Sequence, residues 1–320
     1  MRLFLWIIYF FSGFFPRKNY IYGTYYENHY SNSFQFFLTQ KKGKFICKNP
    51  TYFQNDSIYL YSIKSFYYHI TAKVVYVDYS RQDILWFLTR GAKVINLWHG
   101  MPIKKIEKDI DSGPLKIKYS KSIKDLFIRL LFHPYTFLKY EYVLVNSELH
   151  LSLLSNAFNT NKLILGKAPR LNLWHKNYKK SKNKSIWFTF TFSDDGTSPM
   201  HILEVLNLKI DGYSVNCVLH PKDINTYKLY SKIGVIHLGL DVSIVGPNDI
   251  IVSEQSSLLF DASIQGLKIF LIKSKNLRNQ YLNISDYFEK WAIIEHPREL
   301  GNLISDIKTN CLIEKNNFEC

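Results

Sequence analysis

Lys93-Val94-Ile95-Asn96-Leu97 runs directly into Trp98-His99-Gly100-Met101-Pro102-Ile103-Lys104, and this junction decides the fold class. The first five residues are an apolar run of strand length that reads as buried. The turn after them carries an aromatic, an imidazole and a glycine, and a proline then opens a helix. Strand, turn and helix in that order are the unit of an α/β sheet. In open sheets of this kind ligands bind outside the carboxyl ends of the strands. A histidine at such an end can exchange protons near neutral pH. Gly100 lets a substrate approach the backbone, and Lys104 adds positive charge to a helix start that already favours anions. The chain has 10 histidines, and a lone one is more often structural than catalytic. What singles out His99 is its place in the series strand, Trp98, Gly100, Pro102, Lys104.

The same rhythm extends in both directions. Tyr20 to Gly23, Lys73 to Asp78, Tyr142 to Asn146 and Leu163 to Leu165 read as strands. Helices are expected from Ser33, over Arg81 to Thr89, within Ile117 to Tyr140, and over Glu148 to Phe158. His175 to Lys184 turns abruptly to Lys, Asn and Ser and reads as a linker. Beyond it, Ser185 to Phe190, Tyr213 to Leu219, Asp249 to Val252 and Lys268 to Ile272 are expected strands. Ser193 to Pro199 reads as a loop and helix cap. The expected domains are 1–172, a linker over 173–185, and 186–320.

Further strand ends carry polar side chains. Arg170 follows Leu163 to Leu165, His220-Pro221 follows Leu219, and Glu254, Ser256, Ser257 and Asp261 follow Val252. Ser256 and Ser257 sit where a helix begins, so they could hold a phosphate or simply cap the helix. Collected at strand ends of two α/β halves, these residues describe a cleft between facing domains.

The 41 basic and 26 acidic residues leave a net charge of +15, which calls for an anionic partner. The 23 Tyr and 23 Phe are dispersed and form no RNA-binding motif, so nucleic acid is not the expected partner. The 4 cysteines form no CxxC pair, and no His/Cys/Asp group has metal-ligand spacing. Neither a metal nor a cofactor is expected. Leu3 to Phe15 is almost wholly apolar, bracketed by Arg2 and Arg17-Lys18, and shorter than the roughly 20 residues needed to span a bilayer. It is either an interfacial anchor or a buried helix of the first domain. The basic, apolar stretch Ile117 to Tyr140 is a core helix with a solvated face or a second membrane-surface element.

These residues resemble the CDP-glycerol glycerophosphotransferase family of teichoic acid and capsule-polymer synthesis. Phe15-Pro16-Arg17-Lys18 with Tyr22-Gly23 and Asn32 is similar to its opening segment, and Asn96 to Lys104 to its Trp-His-Gly-x-Pro-x-Lys signature. Gly166 to Arg170, His220-Pro221 and Ser253 to Asp261 resemble three further motifs. Departures are Asn172 and Glu254-Gln255, where the family has Asp and Asp-Tyr, and Thr191 to Asp195, where it has Thr-x-Arg. Asp194-Asp195-Gly196, His220-Pro221 and Ser256-Ser257 in this order also resemble bacterial GT-B sialyltransferases that use CMP-sialic acid.

The resemblance implies a GT-B architecture of two Rossmann-like domains, peripheral on the cytoplasmic membrane face. The first would serve the acceptor and the second the donor nucleotide. It implies transfer of glycerol phosphate from CDP-glycerol, or a related donor such as CDP-ribitol, to a polyprenyl-linked or glycan hydroxyl, with release of CMP. His99 would be the general base. His220, Ser256, Ser257 and Arg170 would hold donor phosphates, Lys104 would steady an anionic substrate, and Glu254 or Asp261 would bind hydroxyls. Trp98, Gly100 and Pro221 complete the expected site. A non-catalytic basic protein docking on acidic lipid or nucleic acid is the reading from a different class.

Overall fold

Burial on both faces explains the apolar runs at the centre of each sheet, because both sheets are all-parallel. A computed structural model describes residues 2–25, 29–52, 57–100, 102, 105–120, 122–180, 184–190, 201–220, 223–254, 256–272 and 291–309. Its chain divides into two units, one built on 1–99 and 105–171, the other on 172–319 with the short piece 100–104.

The first unit holds seven strands: β1 (Asn19–Gly23), β2 (Lys44–Cys47), β3 (Ser57–Tyr59), β4 (Ala72–Val77), β5 (Lys93–Asn96), β6 (Tyr142–Val145) and β7 (Leu163–Leu165). Their order is β3-β2-β1-β4-β5-β6-β7, with every pair parallel. Ile21, Val75, Val77 and Val94 are essentially without solvent exposure and form its centre. The helices are α1 (Arg2–Ser12), α2 (Asn32–Gln40), α3 (Ile63–Ile70), α4 (Ile123–Phe132) and α5 (Leu151–Phe158). Ser31, Ser62 and Ser122 cap α2, α3 and α4 by accepting the N–H of the residue three places on.

The second unit repeats the plan with β8 (Lys184–Thr189), β9 (Tyr213–Leu219), β10 (Ile236–Leu238), β11 (Ile250–Ser253), β12 (Lys268–Ile272) and β13 (Ala292–Ile294). Its order, β10-β9-β8-β11-β12-β13, is the doubly wound arrangement of a Rossmann sheet. Its helices among the described residues are α6 (Ile202–Asn207), α7 (Ile224–Tyr230), α8 (Leu258–Ile264) and α9 (Glu299–Thr309). Ile202 and Val205 of α6 share one buried cluster with Leu300 and Ile304 of α9.

One expectation is corrected. Arg81 to Thr89 is not one helix but two single 3₁₀ turns, Arg81–Asp83 and Trp86–Leu88. The Asp83 carboxylate collects the N–H groups of Asp78, Tyr79 and Ser80, and Ile84 is extended (φ −140°, ψ 170°), which interrupts any helix. The helix expected within Ile117 to Tyr140 is the ten-residue α4, flanked by 3₁₀ turns at Pro114–Lys118 and Pro134–Phe137. Within the expected linker, His175 N–H and Asn177 N–H donate to Val242 and Ser243, so this stretch is bonded into the second unit. The expected loop at Ser193 to Pro199 lies outside the described residues.

Candidate active site

Register brings the first cluster together. Gly23, Val77 and Asn96 are neighbours across β1, β4 and β5, so the segments leaving these three strands emerge side by side at the sheet's carboxyl edge. β1 and β4 are also where the chain reverses its direction of winding, the position at which such sheets bind ligands.

Asn96 Oδ1 accepts the Trp98 N–H at 2.8 Å, forming a side-chain turn that throws the chain sharply out of β5. Trp98 is held at φ 49°, a left-handed conformation that a bulky residue adopts only under constraint. The constraint is Asn32, at the start of α2 and 1% exposed. Its Nδ2 donates to the carbonyls of Leu97, at 3.2 Å, and Trp98, while its Oδ1 accepts the Arg170 N–H at 2.9 Å. One buried amide therefore ties the turn after β5 to the segment after β7. The Trp98 ring packs edge-on against Phe158 of α5. Gly100, at φ 149°, continues the turn in a conformation open to glycine.

His99 lies between the rings of Tyr79 and Trp98, each centroid 4.1 Å from its own. It remains open to solvent on part of its surface. The Asp78 backbone bonds the ring weakly and works against the two influences that lower its pKa. Protein packed about the ring, and then the Arg170 charge, push its pKa well below the ordinary histidine range. His99 is therefore a neutral imidazole at pH 7. Asp78 braces the cluster: its Oδ1 accepts the Ser33 N–H at 3.0 Å, and burial raises its pKa against these hydrogen bonds and the Arg170 charge. Arg170 is 8% exposed and acts electrostatically on both His99 and Asp78.

The second cluster lies at the carboxyl edge of the other sheet. Thr189 pairs with Val218 on one side and Ser253 on the other, so His220 and Glu254 emerge around the end of β8. The Ser253 hydroxyl donates to the Thr189 carbonyl at 2.7 Å, locking β11 against β8. Glu254 is buried, and Asp261 is buried within α8. Ser256 Oγ accepts the Leu258 N–H at 3.3 Å, whereas Ser257 makes no side-chain cap bond. Lys104 and Pro221 lie outside the described residues.

Asn32, Asp78, Tyr79 and Asn96 were not among the expected site residues. Asn32 and Asn96 had a signal, as part of the opening motif and of the Trp-His-Gly stretch. The opening motif also has a structural meaning. Arg17 donates to the carbonyls of Ile70 at 2.7 Å and Ser12 at 2.5 Å, and also to that of Arg90. It is an internal clamp between α1, α3 and the turn before β5.

The profile described as CDP-Glycerol:Poly(glycerophosphate) glycerophosphotransferase matches residues 17–264. A relative in Methanocaldococcus jannaschii, described as uncharacterized protein MJ1062, is 26% identical over 248 residues, 68% of this chain and 51% of the relative. The chain thus spans about half the length of the curated relative it matches. The wall teichoic acid polymerase TagF, solved as a histidine-to-asparagine variant soaked with CDPG, superposes with a TM-score of 0.69 at 16% identity, covering 96% of this chain and 84% of that one. A TagF variant with a histidine replaced by alanine gives 0.66 at 16% identity over 96% and 85% of the two chains. These structures share the fold. With the profile matching well over half of its residues, the chain belongs to the CDP-glycerol:poly(glycerophosphate) glycerophosphotransferase family.

Proposed function

We propose that this protein transfers glycerol phosphate from CDP-glycerol to a hydroxyl of a lipid-linked polymer or glycan precursor, releasing CMP. The observation that carries this reading is His99: kept neutral at the end of β5, beside Arg170, within the family's Trp-His-Gly signature. A neutral imidazole is what a general base requires. The acceptor oxygen attacks the phosphorus bearing glycerol, its proton passes to His99, and the bond from that phosphorus to the CMP oxygen breaks. CMP departs with the electron pair.

Arg170 supplies positive charge as negative charge builds on the phosphoryl oxygens. His220, Ser256 and Ser257, at the carboxyl edge of the second sheet, hold the donor phosphates, and Glu254 or Asp261 takes a ribose or glycerol hydroxyl. In this reading the first unit serves the acceptor and the second the donor nucleotide. The TagF structures lend support, since histidines were the positions substituted there and CDPG was the ligand soaked.

The same reading puts the enzyme on a membrane surface, from the cytoplasmic side. Trp6 and Tyr9 of α1 pack against Trp86, leaving Phe4, Ile7, Phe11 and Phe14 exposed. α4 packs beside α1 and exposes Ile123 and Phe127. No helix among the described residues is long and apolar enough to cross a membrane. This patch of one unit suits insertion into the headgroup region.

The deciding experiment incubates purified protein with CDP-glycerol and a lipid-linked acceptor. CMP release with acceptor mass increased by one glycerol phosphate supports the function. Absence of both, with release from CMP-sialic acid or CDP-ribitol instead, replaces it.

A further inference from the structure

His201 stands immediately before α6, Glu204 lies in the first turn of α6, and His296 sits between β13 and α9. The fold brings these three side chains together, although 92 residues separate Glu204 from His296 (296 − 204). Glu204 Oε2 lies 3.3 Å from His201 Nδ1 and 3.5 Å from His296 Nδ1. One donor atom from each residue falls within 4.8 Å of the others.

Those separations are long for hydrogen bonds and right for something else. Four ligands held tetrahedrally at about 2.0–2.1 Å from a zinc ion stand roughly 3.3–3.4 Å apart. Both Glu204–imidazole separations match that edge. Two imidazoles and one carboxylate are also the donor set that borderline cations take, with a fourth position left to water. His201 is 2% exposed, and its Nε2 has no hydrogen-bond partner among the described residues. The long contact to Glu204 is thus a poor return for burying an imidazole. The other carboxylate oxygen, Glu204 Oε1, faces the Arg298 N–H at 3.4 Å, a long contact that leaves Oε2 turned to the two imidazoles. A cavity lined by Glu204, Asn207, His296 and Arg298 gives an ion a way in.

We propose that His201, Glu204 and His296 bind a divalent transition-metal ion, zinc by preference, that staples the first helix of the second unit to its last strand–helix turn. α6 and α9 already share one apolar cluster, so the ion would pin the polar margin of that interface. The site shares no residue with the proposed transfer chemistry, and its test needs no turnover.

The test uses full-length, tag-free protein, stripped with chelator and titrated with Zn²⁺ and Co²⁺. The expected result is one ion per chain, visible Co²⁺ d–d absorption of tetrahedral intensity, and a melting temperature raised by at least about 5 °C at saturating zinc. His296→Ala and Glu204→Gln, both at partly exposed positions, should weaken binding at least about 100-fold and abolish that rise. His201→Ala is avoided because it opens a hole in the core. Failure of the wild-type protein to bind one ion overturns the proposal. So does unchanged affinity in both variants, or a loss of melting temperature that is the same with zinc as with chelator, since the three side chains would then be only a hydrogen-bonded cluster.

Discussion

At the residue scale, everything turns on how His99 is held. His99→Ala should reduce turnover by about two to four orders of magnitude while leaving the melting temperature and donor affinity nearly unchanged. Near-normal turnover in that variant would remove His99 from the chemistry. Its lowered pKa sets a sign as well. The folded protein keeps the ring neutral where an unfolded chain would protonate it, so this group's contribution to stability is present above the ordinary histidine pKa, near 6.5, and declines as pH falls below it. The acidic limb of kcat/KM should accordingly lie below about pH 6.5; a limb at or above it would mean that another group is titrating. Asn32→Ala removes the amide that holds Trp98 left-handed. Turnover should fall at least about tenfold, because the turn carrying His99 relaxes. Arg17→Lys should lower stability by about 2 kcal/mol with kcat unchanged, since an ammonium cannot reach carbonyls on three elements at once. His99 and Arg170 were legible in the sequence as strand-end residues of a motif. Asn32 was legible only as part of the opening motif and Asp78 only as the end of a strand; what they brace was not, because they join backbone from distant segments, and no local pattern encodes a partner 45, 65 or 138 residues away.

At the scale of elements, legibility followed the apolar pattern of the sequence rather than burial: β7 was read although two of its three residues are exposed, and β2 was missed although three of its four are buried. β7, β9 and β12 occupy the residues read from their apolar runs, while β2, β3, β10 and β13 escaped notice. Those four are three or four residues long, embedded in Lys- and aromatic-rich stretches with no period-two signal. α3 was missed for a related reason: Lys64, Phe66 and Tyr67 face solvent, so aromatics on its outer surface blur the apolar stripe. The start of α8 separates two accounts of a serine pair. Ser257 caps nothing, so Ser257→Ala should change the melting temperature by under about 1 °C and yet weaken CMP binding measured by calorimetry. Ser256→Ala gives up a 3.3 Å bond and should cost some stability in addition. Unchanged affinity in the double variant would leave both hydroxyls with a purely local role.

For the whole molecule, charge and surface act together. With a net charge of +15 and the exposed aromatic face of α1, the protein should float with anionic liposomes, less so as salt rises. Deleting α1 would also remove the packing of Trp6 and Tyr9 on Trp86, so the cleaner variant is Phe4, Phe11 and Phe14 together changed to Ser. It should stay folded and lose most lipid binding; undiminished flotation would assign membrane contact to another surface. The strand orders carry a last consequence, for how the chain is made. In both sheets the earliest strand, β1 or β8, lies inside, and each later one is added at an edge that already exists. No strand has to be inserted between two others. A polypeptide leaving the ribosome can therefore lengthen each sheet outward in the order of synthesis. All seven strands of the first unit precede β8, so that unit's sheet can close before the second has begun to form.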